Sequence, residues 1–163
     1  MRYQLDHEKL DVYQIELQFV AWVTELMAEL SESPEARKRR IIEIFDHLDR
    51  ASLSALFNTA EGNGKRQMKM RAKFFDDARG SATECAACLD ALVAKRACEA
   101  LRVEQGKSLL VRVVSMLSKL VDRFSDPTQV AETESRYGIE DEDEDEGDRR
   151  PPNLINMSTR SNQ

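Results

Sequence analysis

Asn58-Thr59-Ala60-Glu61-Gly62-Asn63-Gly64-Lys65 is the stretch that decides the fold of this 163-residue chain. Apolar residues at helical spacing run up to it, two glycines interrupt them, and a second helical pattern begins at once. Glycine is the default where a helix ends in a left-handed turn, because it has no Cβ to penalise positive φ. The stretch therefore predicts a helix that stops at Gly62 and Gly64 and a chain that reverses into the next helix. Arg79-Gly80-Ser81 and Glu84 follow on that next helix.

Working outward, four helical segments and no strand are expected. From about Lys9 to Leu30, Val12, Ile15, Phe19, Trp22, Val23, Leu26 and Leu30 form one stripe. Tyr13, Leu17, Val20 and Met27 widen it to roughly 220°, where one buried face needs only ~100°. Such a helix is either enclosed by its own chain or packed against another subunit. Ser33-Pro34-Glu35 is a start signal for the second helix: an N-cap serine, proline at the first helical position and an acid in the first turn. Ile41, Ile44, Phe45, Leu48, Ala51, Ala55 and Leu56 then recur every three or four residues. A third helix is expected from Arg66 to Ala97, with Phe74, Phe75, Ala78, Ala82, Cys85, Leu89, Leu92 and Val93 on its core face. The fourth runs from Val103 to Phe124 and ends at Asp126-Pro127, since proline cannot continue the ladder. Four amphipathic helices on short connections read as an all-α, antiparallel up-and-down four-helix bundle over residues 1–125.

Beyond it the composition changes. Residues 126–163 carry eleven acidic and four basic residues, a net of −7, while the whole chain is −6, so residues 1–125 carry +1. Glu140–Glu146 is seven consecutive acids, which repel one another and bury nothing; a disordered acidic tail is expected. The low pI thus belongs to the tail and does not exclude anion binding by the body. No segment has the length of a membrane span. Residues 1–11 lack the apolar stretch of a secretory signal, and three cysteines do not make a disulfide framework. The expectation is a cytoplasmic protein with reduced thiols and no membrane contact.

The motif pair resembles that of the four-helix bundle proteins of the 23S rRNA intervening-sequence (S23) family. Those show Asn-Ile-Ala-Glu-Gly-x-Gly-Arg between the second and third helices and Gly-Ser-x-x-Glu on the third. Here the segments read Asn58 to Lys65 and Gly80-Ser81-Ala82-Thr83-Glu84, and Leu10-Asp11-Val12-Tyr13-Gln14 is similar to the family's opening Leu-x-Val-Trp-x. The similarity covers about residues 9–124. Members of the family resemble the accessory variability determinant of diversity-generating retroelements, a pentameric barrel that binds nucleic acid. The resemblance implies a homopentamer, RNA or DNA as a partner, and a reverse transcriptase or another protein as a further candidate.

Two basic clusters suit phosphate contact. Lys65, Arg66, Lys69 and Lys73 fall within roughly 100° on the third helix, opposite its core face. Arg37-Lys38-Arg39-Arg40 opens the second helix. Charge runs are ordinarily solvated faces, and little aromatic interleaving is present for base stacking, so any binding should be salt-sensitive and sequence-blind. An adaptor oligomer that binds another protein is the alternative function.

The remaining polar motifs read as structure. Glu61, Arg79 and Glu84 are expected to be buried or half-buried groups that pair with one another or with backbone freed at the turn, and Asn58 to serve the same turn. With Gly62, Gly64 and Ser81 they make an architectural motif. Cys85-Ala86-Ala87-Cys88 has redox spacing but lies mid-helix, whereas a reactive pair sits at a helix N-terminus. Glu43 and His47 are four apart, not the three of a di-iron Glu-x-x-His pair. No nucleophile, base and orienting group occur together. The expectation is a non-enzymatic protein with no catalytic residues, metal or cofactor.

Overall fold

A 3₁₀ turn, Asp6–Lys9, leads into α1 (Asp11–Glu32), which is followed by α2 (Ile42–Gly64), α3 (Met68–Ala94) and α4 (Ala100–Ser125). The structure, a computed structural model, describes residues 3–34 and 41–126, among which there is no strand. Each helix packs on two neighbours, α1 on α2, α2 on α3, α3 on α4 and α4 on α1, while the diagonal pairs stay apart. That square of antiparallel neighbours is the up-and-down bundle the periodicity predicts. Three expectations lie outside the described residues: the cluster Arg37 to Arg40, Glu35 of the helix start at Ser33-Pro34-Glu35, and the acidic tail from residue 127.

The apolar stripes meet in one core. Leu26, Leu48, Phe75, Ala78, Ala82, Cys85, Leu89, Leu92 and Leu117 have no exposed surface. Ala78, Ala82 and Cys85 keep the inner face of α3 thin, which lets α2 and α4 approach it closely. On the other side of the bundle, α1 and α4 meet through a different small residue. The Trp22 indole lies so tightly on Gly106 that a Cβ there would fall 2.1 Å from the ring. Trp22 also stacks on Phe19, with centroids 5.8 Å apart. Glu29 near the end of α1 accepts a 2.6 Å ion pair from Arg102 at the start of α4, and Lys107 of α4 pairs with Asp90 of α3.

The glycine turn is not what its sequence suggests. α2 remains helical through Gly64, and its C-cap residue Lys65 has φ −69° and ψ 141°, extended rather than left-handed. Gly62 serves a close approach instead. It is buried, and a Cβ on it would lie 3.0 Å from the Phe74 Cβ and 3.3 Å from the Phe75 ring. Gly64 has open space around it. The left-handed C-cap occurs at the next corner, where Arg96 has φ 56°. There the Ala97 N–H bonds the Leu92 carbonyl at 2.9 Å and the Arg96 N–H bonds Val93 at 2.8 Å. These two bonds make a Schellman motif, with Ala97 buried against the end of α3.

Candidate nucleic-acid interface

The chain reverses between α2 and α3 at Lys65-Arg66-Gln67, which puts the start of α3 beside the end of α4. Phe75 of α3 and Phe124 of α4 stack with centroids 5.6 Å apart and fix that end of the bundle. Around the Phe124 ring stand two guanidinium groups, Arg71 at 4.3 Å and Arg123 at 5.6 Å. Arg71 donates from Nη2 to Asn63 Oδ1 at 3.1 Å, a neutral acceptor, and its Nε is buried without a partner. Burial first, then repulsion from Arg123, holds the Arg71 guanidinium below its ordinary value. Neither guanidinium makes an ion pair with a carboxylate among the described residues.

The four cations expected on α3 do not behave alike. Lys65 is half-buried, paired with Glu61 at 2.9 Å and held 4.6 Å above the Phe74 ring. It is tied down rather than presented outward. Phe74 correspondingly does not lie wholly in the core. Arg66, Lys69 and Lys73 are exposed. Lys65, Arg66, Gln67 and Met70 line an open pocket of about 320 Å³ beside the first turn of α3. That turn carries no acid and its N-cap Gln67 makes no side-chain cap, so the partial positive charge of the helix start adds to the cationic surface. Arg123, from the last turn of α4, joins the same end.

The polar motif is placed differently from its expectation. Glu61, Arg79 and Glu84 are exposed and do not meet. Arg79 pairs locally with Asp76 at 2.6 Å. Surface pairs of this kind contribute only about 0–1 kcal/mol. The residues that do cross between helices are smaller. Asn58 Nδ2 donates to Ser54 Oγ at 3.2 Å, and Ser54 shares a 2.9 Å hydroxyl contact with Ser81 of α3. Ser81 also bonds the Asp77 carbonyl at 3.1 Å. Thus Ser54 and Ser81 couple α2 to α3, Asn58 bonds Ser54 within α2, and Glu61 only supports the Lys65 side chain.

The buried polar pair is Glu16 and Thr59. Glu16 is 2% exposed on α1, and the Thr59 hydroxyl donates to its Oε1 at 2.8 Å. Oε2 has no partner. Burial raises the Glu16 carboxyl to about 8, against the lowering effect of the Thr59 bond. The signal was available in the sequence: Glu16 is an acid on an apolar stripe, flanked by Val12, Phe19, Val20 and Val23. Cys85 is a buried filler whose thiol desolvation pushes up to about 12, and Cys88 is half-buried and also raised. Neither is an activated thiolate at neutral pH.

A family model described as 23S rRNA-intervening sequence protein matches residues 8–119. The chain belongs to that family. No curated protein and no solved structure matches it. The matched region ends within α4, and the acidic segment lies outside it.

Proposed function

We propose that this member of the 23S rRNA-intervening sequence family is a non-enzymatic bundle that binds the RNA or DNA backbone at its basic end and assembles with copies of itself. One observation carries the nucleic-acid reading: Arg66, Lys73 and Arg123 are exposed at one end of the bundle and make no ion pair among the described residues. They surround the uncapped start of α3, whose N–H groups suit phosphate oxygens. Contacts of this kind position a backbone and carry no base code. A ring of five subunits, which the family resemblance suggests, would repeat the patch and multiply its field.

Self-assembly draws support from the outer side of α1 and α2. Tyr13, Leu17, Val20, Ala21, Thr24, Met27, Ala28 and Ser31 form a strip of α1 without a charge. Leu17 is 40% exposed and Phe57 on α2 is 61% exposed. The Glu16–Thr59 bond sets residue 16 level with residue 59, so Leu17 and Phe57 stand at about the same height on adjacent helices.

An electrophoretic shift series with RNA and DNA at rising salt tests the binding. Affinity should fall steeply with salt, and Arg66→Glu, Lys73→Glu and Arg123→Glu should each flatten the log–log slope by about 0.7–0.9. No shift at low salt, or a shift unaffected by the three reversals together, overturns the nucleic-acid reading. In that event the exposed Leu17 and Phe57 favour the adaptor whose partner is another protein.

A further inference from the structure

We propose that the acidic run Glu140–Glu146 docks on the basic end of its own bundle and competes there with phosphate. The inference rests on the backbone-binding reading and supplies its regulation. Three observations lead to it.

The first is where the chain leaves the bundle. Phe124 is buried, stacked on Phe75 and flanked by Arg71 and Arg123. α4 ends one residue later, at Ser125, so the following segment begins beside the cations and not at the opposite end.

The second is reach. Thirteen residues separate Asp126 from Glu140; a chain of that length spans at most about 50 Å, and a random coil of it about 20 Å on average. The basic face from Arg66 to Lys73 extends only about 10 Å along α3. The far end of the bundle, by contrast, lies roughly 40 Å away along α4. A tether of this length holds the acids near the basic end at an effective concentration on the order of millimolar.

The third is charge. The segment after residue 125 carries a net −7 and the rest of the chain +1. Arg66, Lys73 and Arg123 make no ion pair among the described residues, and Arg71 hydrogen-bonds a neutral side chain, Asn63, rather than a carboxylate. Seven acids in sequence present the same repeating negative charge as a stretch of nucleic-acid backbone. They use the same exposed cations, so occupancy by one excludes the other.

The test uses the full-length chain. In one variant the run is neutralised in place (Glu140→Gln, Asp141→Asn, Glu142→Gln, Asp143→Asn, Glu144→Gln, Asp145→Asn and Glu146→Gln), which leaves every bundle residue untouched. A short fluorescein-labelled single-stranded RNA, and the matching DNA, are titrated by fluorescence anisotropy. The neutralised chain should bind about tenfold more tightly at ~50 mM salt, and the difference should vanish near ~0.3 M. Separately, carbodiimide coupling of the unmodified chain at low salt, read by mass spectrometry, should join the run to Lys69 and Lys73 in preference to Lys95 and Lys107. Equal affinities of the two proteins, or couplings spread evenly over all lysines, would overturn the docking while leaving the nucleic-acid reading standing. Couplings concentrated at the basic end with no RNA or DNA binding by either protein would keep the docking and remove the nucleic-acid reading.

Discussion

Glu16 gives the bundle a stability that should decline with rising pH, opposite to the usual behaviour of carboxylates. Its carboxyl has an ordinary value of 4.5 and is raised to about 8 in the folded protein. The folded state therefore holds the proton more tightly than the unfolded chain. The contribution is fully present below the unfolded value, falls as pH climbs through the interval, and is lost above about 8. At ~1.4 kcal/mol per pH unit, about 3 kcal/mol is gone by pH 7 and about 4 kcal/mol by pH 8. Relaxation of the core and entry of water around a charged carboxylate reduce this, so about 2–3 kcal/mol across pH 5 to 8 is the expected size. Cys85, which also feels the Glu16 charge, stays a neutral thiol throughout the interval. Glu16→Gln keeps an oxygen for the Thr59 hydroxyl and removes the titration. Urea unfolding followed by circular dichroism, at one fixed protein concentration and several pH values, gives the stability difference between the two proteins. That difference should move toward Glu16→Gln by about 2–3 kcal/mol between pH 5 and 8. A gap that stays constant within about 0.5 kcal/mol would mean the carboxyl is solvated, and the account of a dry Glu16–Thr59 pair would be wrong.

The two glycines of the α2–α3 corner should respond oppositely to alanine: Gly62→Ala presses a Cβ to 3.0 Å from Phe74 and should cost about 1–3 kcal/mol. Gly64→Ala, in open space, should gain about 0.5–1 kcal/mol by thermal unfolding; a left-handed turn at residue 64 would make that substitution costly as well. Arg96→Gly, at φ 56°, should stabilise the bundle by about 1 kcal/mol, because the C-cap geometry then carries no Cβ penalty. A loss of stability there would mean that the Arg96 side chain contributes more than its backbone strain costs.

The helices were legible because their stripes are long and strongly periodic, so position and register follow from burial alone. Val12, Ile15, Phe19, Trp22, Val23, Leu26 and Leu30 are all buried as the spacing predicts. Corners were harder, since one residue type answers to several causes. Glycine at 62 means close approach, not positive φ, and only the neighbouring Phe74 and Phe75 rings tell the two apart. Arginine at 96 carries no sign of a left-handed cap at all; the Schellman bonds to Leu92 and Val93 impose it once α3 and α4 pack. Charged residues misled in the same way. Glu61, Arg79 and Glu84 sit in a motif and yet are exposed, whereas Glu16 lies outside every motif and is buried.

The basic end shows why a cluster of cations in sequence is only part of a site. Lys65, Arg66, Lys69 and Lys73 were visible on α3, but Lys65 is occupied by Glu61 and Phe74. Arg71 fell off the stripe in sequence, and Arg123 lies about fifty residues further on. Both stand at the same end of the bundle, on the Phe124 ring that packs on the fully buried Phe75. A Cβ at residue 62 would press on that same Phe75 ring as well as on Phe74. An uncharged residue thus governs where the charges gather: the missing side chain at Gly62 lets Phe75 reach Phe124, and Phe124 holds the two guanidinium groups together. It follows that bulk at residue 62 should disturb the arrangement of Arg71 and Arg123 before it disturbs the Glu29–Arg102 pair at the opposite end. The motif that labels the fold is thereby also a determinant of the surface on which phosphate is proposed to bind.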